Sequence, residues 1–302
     1  MAKLDILIPH YNDVEGLDLA LRSIAAQTWR GGLRIVIADD GSAPEAVGGA
    51  RALAEAIGHP VTFIENVQNR GRPYTRNILL DSVDSPYVAW IDAGDEWYPD
   101  KLAIQFEALL KAEAEAAAAA ENEFIWMTCH YHWKGQDNQS YKKKLQKTDQ
   151  DQLRALLTGT DLRAYLWTIL ARAETFASVG WFDERLPRLQ DLDFFLRFAL
   201  KGGQILQPGY EEALCVYHKT DIGRSADQIR QCNAYIFDKY RVLYNRYGMK
   251  FRRTRLYHME MHSARFAANN FDHRKANEYM WKAARARPRL FVRHLRRKGF
   301  RP

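Results

Sequence analysis

Two carboxylates follow a short apolar run near the end of the first third of the chain. The run covers residues 87–91, and Asp92 and Asp95 come directly after it, three positions apart. An apolar run of this length between a proline and a glycine is typical of a buried strand. Two acids in one tight turn repel each other unless they share a cation, and hard oxygen ligands suit Mg²⁺ or Mn²⁺. The pair predicts a divalent-cation site, although a solvated turn in which Asp92 caps the next helix would have the same sequence.

Polar segments also follow two earlier predicted strands. The strand at 4–8 leads into a loop with Pro9 and Tyr11, and the strand at 33–38 leads into Asp39. The further elements expected in this half are a strand at 61–64 and helices at 17–27, 46–57 and 74–80. This alternation predicts an α/β fold with a mostly parallel sheet, in which the carboxyl ends of the strands lie on one edge. The three polar segments therefore predict a single site at that edge.

The middle of the chain has weaker patterns. We expect a long helix, a strand, a basic surface loop, a second strand and a turn, at 99–122, 124–130, 134–150, 165–170 and 176–183 respectively. A helix follows, with Asp191 and Asp193 in its first turn, where the helix dipole favours negative charge. From about residue 224 only helical patterns remain, including a helix–turn–helix pair near 267–285. We therefore predict two domains, residues 1–225 and a basic helical extension at residues 226–302.

Composition excludes several classes of protein. The chain has three cysteines and no Cys-x-x-Cys pair, which argues against a disulfide scaffold or a thiolate zinc site and favours a reducing compartment. We expect neither a signal peptide nor a transmembrane helix, because the N-terminus leads straight into a strand and no apolar run is long enough. The formal net charge of +7 favours an anionic partner.

Part of this positive charge is concentrated at the C-terminus. Residues 285–301 interleave arginines with apolar side chains and contain no acid. Such a segment suits an anionic membrane surface, at about 1 kcal/mol per nearby basic residue. An exposed basic tail without a target is an equally good interpretation. Nucleic acid is not expected as a partner, since the segment has no recognition motif and no stripe of stacking aromatic residues.

Taken together, the motifs resemble those of family 2 glycosyltransferases. The likeness covers roughly residues 4–225 and rests on Pro9-His10-Tyr11-Asn12, Asp39-Asp40-Gly41-Ser42, Asn69-Arg70-Gly71-Arg72 with Arg76-Asn77, Asp92-Ala93-Gly94-Asp95, and Gly180-Trp181-Phe182-Asp183-Glu184 with Gln190-Asp191. The resemblance implies the GT-A fold, a nucleotide-sugar-binding sandwich with a Rossmann-like sheet.

The resemblance also implies roles for individual residues. Asp39 would bind the base of the nucleotide, and Asp191 would be the catalytic base. Asp95 would be the first metal ligand, with Asp92 helping or reaching the ribose, because Gly94 stands where many members have an acid. Pro9 and Tyr11 would line the nucleotide pocket. Arg72 and Arg76 would face the nucleotide or its phosphates, and His218 would contact the metal or the pyrophosphate.

The resulting functional hypothesis is an inverting, Mn²⁺- or Mg²⁺-dependent glycosyltransferase. It would move a sugar from a nucleoside-diphosphate sugar, with a UDP-sugar expected, to a glycan or lipid-linked acceptor in polysaccharide, lipopolysaccharide or lipid-linked oligosaccharide synthesis. We expect it in the cytoplasm or peripherally on the inner face of the plasma membrane. One alternative is a nucleotidyltransferase, which would have a glycine-rich basic loop after the first strand. Another is a degenerate nucleotide-sugar-binding scaffold.

Overall fold

The computed structural model describes residues 3–120, 124–135, 141–159, 161–218 and 225–297. Its strands are β1 Lys3–His10, β2 Gly32–Asp39, β3 Val61–Glu65, β4 Tyr87–Trp90, β5 Glu96–Trp97, β6 Ile125–Met127, β7 Tyr131–Lys134, β8 Tyr141–Lys144, β9 Leu170–Arg172, β10 Gln204–Leu206 and β11 Cys215–His218. Its helices are α1 Val14–Ala25, α2 Pro44–Ala56, α3 Arg72–Asp81, α4 Lys101–Ala118, α5 Gln152–Thr158, α6 Ala173–Val179, α7 Gln190–Leu200, α8 Ala226–Lys239, α9 Arg241–Arg246, α10 Gly248–Asn269, α11 His273–Ala286 and α12 Pro288–Arg297.

The chain forms two compact units. The first extends to Arg185 and resumes from Gln190 through β11. The second combines Leu186–Leu189 with the C-terminal helices. The predicted helical character of the C-terminal segment is confirmed, whereas the division into domains at residue 225 stays a prediction.

A large sheet forms the centre of the first unit, in the order β10-β6-β9-β4-β1-β2-β3. Strands β1 to β4 are parallel where they pair, and β10 is parallel to β6. Strand β9 lies antiparallel to both β4 and β6, so that β6 and β10 run in the same direction as β4. The predicted mostly parallel sheet is therefore confirmed, and the carboxyl ends of β1, β2 and β4 share one edge.

Apolar residues on both faces explain why the central strands are parallel. Successive side chains of a strand point to opposite faces of the sheet. Even so, consecutive residues have no exposed surface in both central strands, namely Leu7 and Ile8 in β1 and Val36 and Ile37 in β2. Helices must therefore cover both sides of the sheet. Helix α1 does so with Leu17, Leu21 and Ile24, which recur at helical spacing and are buried.

One buried acid secures the start of the central strand. Asp5 is fully buried and accepts hydrogen bonds from Arg34 on β2 at 2.9 and 2.5 Å. It also accepts from the backbone of Asp84 and Ser85, at 2.8 and 3.0 Å. Burial by itself would raise the pKa of Asp5, but these hydrogen bonds outweigh it and lower the pKa. The carboxylate thus connects β1, β2 and the loop before β4.

A second, smaller sheet has the order β5-β11-β7-β8. The predicted basic loop at 134–150 was wrong in part, because residues 141–144 form the exposed edge strand β8, which pairs with β7. Lysines have low strand propensity, yet charge on an edge strand also opposes pairing with another chain. The part of that loop at 136–140 lies outside the described residues.

Two neighbouring predictions also change. The strand expected at 165–170 is a 3₁₀ turn at Leu166–Thr168 followed by β9, and the turn expected at 176–183 begins inside α6. The long helix predicted at 99–122 is α4, and its last two predicted residues lie outside the described part.

The described residues from 226 to 297 form five helices joined by short turns. Helices α10 and α11 are the predicted helix–turn–helix pair, and a small core forms around Ile229, Phe266 and Tyr279. Within the described residues, no helix is both long enough and apolar enough to cross a membrane.

Candidate active site

The loops after β1 and β2 are connected to each other by side-chain hydrogen bonds. Asp39 ends β2, is fully buried, and lies 2.7 Å from Nδ1 of His10 at the end of β1. Its carboxylate also accepts from the hydroxyl and the backbone N–H of Ser42, at 2.5 and 2.8 Å. Asn12, with a φ of 49°, donates its N–H to the Ser42 hydroxyl at 2.8 Å. Burial would raise the pKa of Asp39, but the contacts with Ser42 and His10 lower it.

Asp40 orders the loop that leads into α3. Its two oxygens accept from the backbone N–H groups of Arg70 and Gly71, both at 2.9 Å. The Arg70 guanidinium stacks on the Tyr74 ring at 3.7 Å. Because the loop is held in this way, α3 starts at Arg72 and directs its first two turns along the sheet edge.

Arg76 on α3 joins two acids from distant parts of the chain. Its guanidinium is 1% exposed and donates to Asp92 after β4 at 2.9 and 3.2 Å. It also pairs with Asp191 in the first turn of α7. Arg72 faces Asp92 from a longer distance of 3.9 Å. The predicted residues Arg72, Arg76, Asp92 and Asp191 therefore lie together.

The pKa values of Asp92 and Asp191 are shifted in opposite directions, because burial and the neighbouring arginines balance differently at each acid. Burial would raise the pKa of Asp92, but Arg76 and Arg72 outweigh it and hold that pKa low. For Asp191, burial dominates and raises the pKa, despite Arg76. The backbone of Leu166 also lies near the Asp191 carboxyl and opposes the rise in its pKa. Asp191 thus combines a raised pKa with a position at a helix start, and both suit a group that accepts a proton.

Asp95 differs from the other acids because one of its oxygens has no partner. Its side chain is 4% exposed, and its Oδ2 lacks a hydrogen bond among the described residues. Burial and the charge of Asp92 raise its pKa well above the ordinary value, and the nearby backbone of His218 opposes this rise. A buried carboxylate in this state fits a group that would be completed by a cation.

Gly94 has a backbone conformation that explains why this position lacks an acid. Its φ is +90°, which side-chain-bearing residues rarely adopt. Its N–H donates to the carbonyl of Gly16 at 2.9 Å, which fixes the turn against α1. The turn geometry therefore requires glycine between the two acids in this chain.

His218 contacts the predicted metal residue through its backbone. Its backbone lies near enough to Asp95 to oppose the rise in the pKa of that carboxyl, while its ring lies 3.3 Å from Glu96. No three His, Cys, Asp or Glu side chains of the described ranges lie close enough together to hold a metal by themselves. A cation here would need additional ligands, such as substrate phosphates, which often complete Mg²⁺ sites.

Comparison with known proteins identifies the family. A model described as glycosyl transferase family 2 matches residues 5–165, more than half of the 302-residue chain. The chain belongs to glycosyl transferase family 2. An uncharacterized glycosyltransferase RP339 of Rickettsia prowazekii (strain Madrid E) is 26% identical to this family 2 chain over 197 residues, 65% of this chain and 58% of RP339. Succinoglycan biosynthesis protein ExoW of Rhizobium meliloti (strain 1021) is 34% identical over 118 residues, 38% of this chain and 36% of ExoW. The family 2 chain thus spans less than two thirds of either relative.

Solved structures support the same fold. S. aureus TarS 1–349 in complex with UDP-GlcNAc has a TM-score of 0.57 at 14% identity, covering 93% of this chain and 91% of that one. Mannosyltransferase PcManGT from Pyrobaculum calidifontis, in complex with GDP-Man and Mn²⁺, has a TM-score of 0.56 at 16% identity, covering 99% and 81%. The predicted GT-A fold is confirmed for this family 2 protein.

The other predicted site residues lie at the same edge of the sheet. Pro9 is half-buried and Tyr11 is 50% exposed, so Tyr11 offers a free ring face beside the β1 loop. Asp39 has no exposed surface, and its hydrogen bonds with Ser42 and His10 maintain the loop.

Sequence reasoning assigned no role to several residues that shape this site. His10, Asp40 and Asn77 were noted only as parts of motifs. Asn77 exchanges hydrogen bonds with the backbone of Phe182, at 2.7 and 3.2 Å, which places that ring 5.6 Å from the Arg76 guanidinium. A polar residue within a motif, directly beside a residue with an assigned role, was the available signal.

Proposed function

We propose that the protein is an inverting, divalent-cation-dependent glycosyltransferase that uses a nucleoside-diphosphate sugar. The observation that carries this proposal is the cluster at the sheet edge. There buried Arg76 bridges Asp92 and Asp191, while one oxygen of Asp95 has no hydrogen-bond partner in the described part of the chain. Family membership supports the reaction class, and the ligands of TarS and PcManGT support a UDP- or GDP-linked donor.

The donor nucleotide would lie over the ends of β1 and β2. Pro9 and Tyr11 would cover one side of the base, and Asp39 would accept a hydrogen bond from it after exchanging one of its present partners. Arg72 is exposed and is the cation best placed to reach the phosphates, whereas buried Arg76 is engaged by the two acids.

Asp95, assisted by Asp92, would hold Mn²⁺ or Mg²⁺. The fit rests on the unpartnered buried oxygen of Asp95 and on hard carboxylate donors that suit either ion. A bound cation would supply charge neutralisation for the departing diphosphate. The backbone of His218 would face Asp95, and its ring would exchange its contact with Glu96 for one with a phosphate.

Asp191 would take the proton from the acceptor hydroxyl as that oxygen attacks the anomeric carbon. Its raised pKa brings it nearer to neutral pH than an ordinary aspartate, which improves proton transfer as long as the group is ionised. Arg76 would keep enough of it ionised by pairing with the carboxylate. One attack with one base inverts the configuration at the sugar.

The acceptor would be a growing glycan or a lipid-linked saccharide, as the name of the relative ExoW suggests.

Helix α12 would bring the enzyme to an anionic membrane: Val292 is 45% exposed, and Arg289, Arg293 and Arg296 are exposed beside it. The part of the basic segment at 298–301 lies outside the described residues. Sedimentation with vesicles with and without phosphatidylserine tests this, and equal binding to both would contradict it.

The decisive experiment measures nucleotide binding and turnover separately. We expect UDP- or GDP-sugars to raise the melting temperature in the presence of Mn²⁺, because a ligand of the native state stabilises it. Asp191→Asn should keep this stabilisation, but it should no longer transfer the sugar to the acceptor and release the nucleoside diphosphate. Normal turnover by Asp191→Asn would overturn the mechanism, and absence of any cation-dependent nucleotide binding would favour a scaffold. Release of pyrophosphate from a nucleoside triphosphate would indicate a nucleotidyltransferase.

A further inference from the structure

The candidate base has a second neighbour besides Arg76. The backbone of Leu166, the first residue of the 3₁₀ turn, lies close enough to the Asp191 carboxyl to oppose the rise in its pKa. The residues on either side of Leu166 are Tyr165 and Trp167. An acceptor hydroxyl that approaches Asp191 therefore comes close to two aromatic residues.

These residues belong to a larger group of rings, which we call the aromatic platform. It consists of four rings: Trp133 on β7, Tyr165 just before the 3₁₀ turn, Trp167 within that turn, and Tyr217 on β11. Trp167 stacks on both tyrosines, with ring centroids 5.3 and 5.7 Å apart. Trp133 meets Tyr217 edge-on at 5.7 Å. Trp167 is 2% exposed, whereas the other three residues are only half-buried. The buried Trp167 ring therefore supports the tyrosine rings, and part of the platform is accessible to a ligand.

Positive charge lies beside one of the accessible rings, that of Trp133. Lys142 on β8 lies directly opposite Trp133 in the β7–β8 register, which places both side chains on one face. The Lys144 ammonium and the Arg163 guanidinium lie 5.8 and 6.0 Å from the Trp133 ring centroid.

Two of the nearby acids pair with other lysines. Glu212 pairs with Lys143 at 3.2 Å, and Asp161 pairs with Lys147 at 3.3 Å. Within the described ranges, neither Lys142 nor Lys144 forms an ion pair with an acid. The platform therefore carries an excess of positive charge that a neutral ligand would not use.

We propose that the aromatic platform is an acceptor subsite for a negatively charged sugar chain. Flat apolar ring faces can cover the C–H faces of pyranose rings, and stacked rings lose little freedom on binding. Lys142, Lys144 and Arg163 would attract acidic groups on the same chain and select it over a neutral one. This inference rests on the proposed function, since the chain would lead its terminal hydroxyl to Asp191.

Calorimetry with two matched oligosaccharides tests the subsite. Tetragalacturonate serves as the anionic probe and maltotetraose as the neutral one. We expect the full-length protein to bind tetragalacturonate at least about tenfold more tightly than maltotetraose. The preference should weaken at high ionic strength, because salt screens exposed charges.

Variants separate the two parts of the subsite. The double variant Lys142→Glu/Lys144→Glu should lose the preference for the anionic probe, whereas Lys111→Glu, an exposed lysine on α4, should keep it. Trp133→Ala should weaken the binding of both probes by about tenfold or more. The lysine variants lie on an exposed edge strand and keep the test valid if Trp133→Ala folds poorly.

The nucleotide-sugar melting shift, measured on each protein, distinguishes this inference from the proposed function. Wild-type protein that is stabilised by a nucleotide sugar but binds the two probes equally would overturn the subsite alone. Unchanged probe binding in both platform variants would overturn it as well. Loss of the nucleotide shift in wild type would overturn the proposed function.

Discussion

Arg76 and Asp191 form an ion pair across 115 residues of the chain. The same guanidinium binds Asp92, so that one buried side chain fixes the spacing between the acid after β4 and the acid at the start of α7. Since Arg76 is 1% exposed, it is better suited to position Asp191 than to contact phosphate directly. The predicted contact of Arg76 with the nucleotide stays untested.

Replacing Arg76 should move the pH dependence of transfer. In the proposed mechanism transfer requires ionised Asp191, so the rate should fall as pH drops through its pKa. Arg76 lowers that pKa against burial, and Arg76→Gln should therefore shift the acidic limb of kcat/KM to higher pH. Arg76→Lys should shift it less, because it retains the charge but loses the two-armed contact. A pH–rate profile of diphosphate release measures this, and an unchanged limb in Arg76→Gln would contradict it.

Cation-dependent nucleotide binding should weaken in acid. The pKa of Asp95 is raised by burial and by Asp92, so the carboxyl is protonated at a higher pH than an ordinary aspartate and loses its affinity for a cation. Asp95→Asn should abolish the Mn²⁺ dependence and flatten this pH response. Calorimetric titration of UDP or GDP with and without Mn²⁺ is the measurement. Persistence of full Mn²⁺ dependence in Asp95→Asn would assign the cation elsewhere.

Gly94→Ala should disturb both stability and the cation site. At a φ of +90° a side chain introduces strain of about 1–3 kcal/mol, and relaxation of the turn should displace the adjacent Asp95. Gly58→Ala provides a matched control, because Gly58 has a φ of +73° with nothing within 4 Å of its added carbon. Both variants should lower the denaturation midpoint, but only Gly94→Ala should weaken Mn²⁺-dependent nucleotide binding. Equal binding by the two would show that the turn tolerates a side chain.

Lys101 should be a source of instability. It is fully buried, its ammonium has no hydrogen-bond partner among the described residues, and it lies 4.1 Å from the centroid of the Trp97 ring. Burial lowers its pKa. Lys101→Met should raise the free energy of unfolding at neutral pH by about 1–3 kcal/mol.

The gain from Lys101→Met should depend on pH in a defined direction. The unfolded chain binds a proton at Lys101 more readily than the folded one, so wild-type stability rises with pH up to the ordinary lysine pKa. The advantage of the methionine variant should therefore shrink in alkali. Urea denaturation at several pH values, with Lys111→Met as an exposed control, measures it; a less stable Lys101→Met protein would contradict the prediction.

Asp5→Asn should destabilise the sheet most at neutral pH. The pKa of Asp5 is lowered in the folded state, so its contribution is present above the unfolded pKa and is lost as pH falls through the folded pKa. Because Arg34 is 26% exposed, we expect a loss of about 2–3 kcal/mol, below the ~3–5 kcal/mol of a fully buried pair. Asp18→Asn, whose partner Arg22 is 78% exposed, should cost much less. A loss that persists unchanged at low pH would exclude the ionised carboxylate as its source.

The local sequence determined the first half of the fold. Apolar runs at β1, β2 and β4 and the helical spacing in α1 are strong periodic signals, and both-face burial makes a parallel sheet their common solution. The motifs at the strand ends were sufficient for the family, because parallel strands place their carboxyl ends on one edge whatever the loops do. Strand β8 was missed because three lysines in succession resemble a loop, and only pairing with β7 makes them a strand.

Only the tertiary structure decided how the charges are shared. Nothing in the spacing of Arg76, Asp92 and Asp191 indicates that one buried guanidinium serves both acids, or that one oxygen of Asp95 has no hydrogen bond within the described residues. Likewise Tyr165, Trp167 and Tyr217 meet only after the small sheet has formed. The hydrophobic periodicity of a segment indicates which face of its helix or strand is buried. Contacts between side chains far apart in the chain depend on the three-dimensional arrangement of the elements, which local periodicity does not specify.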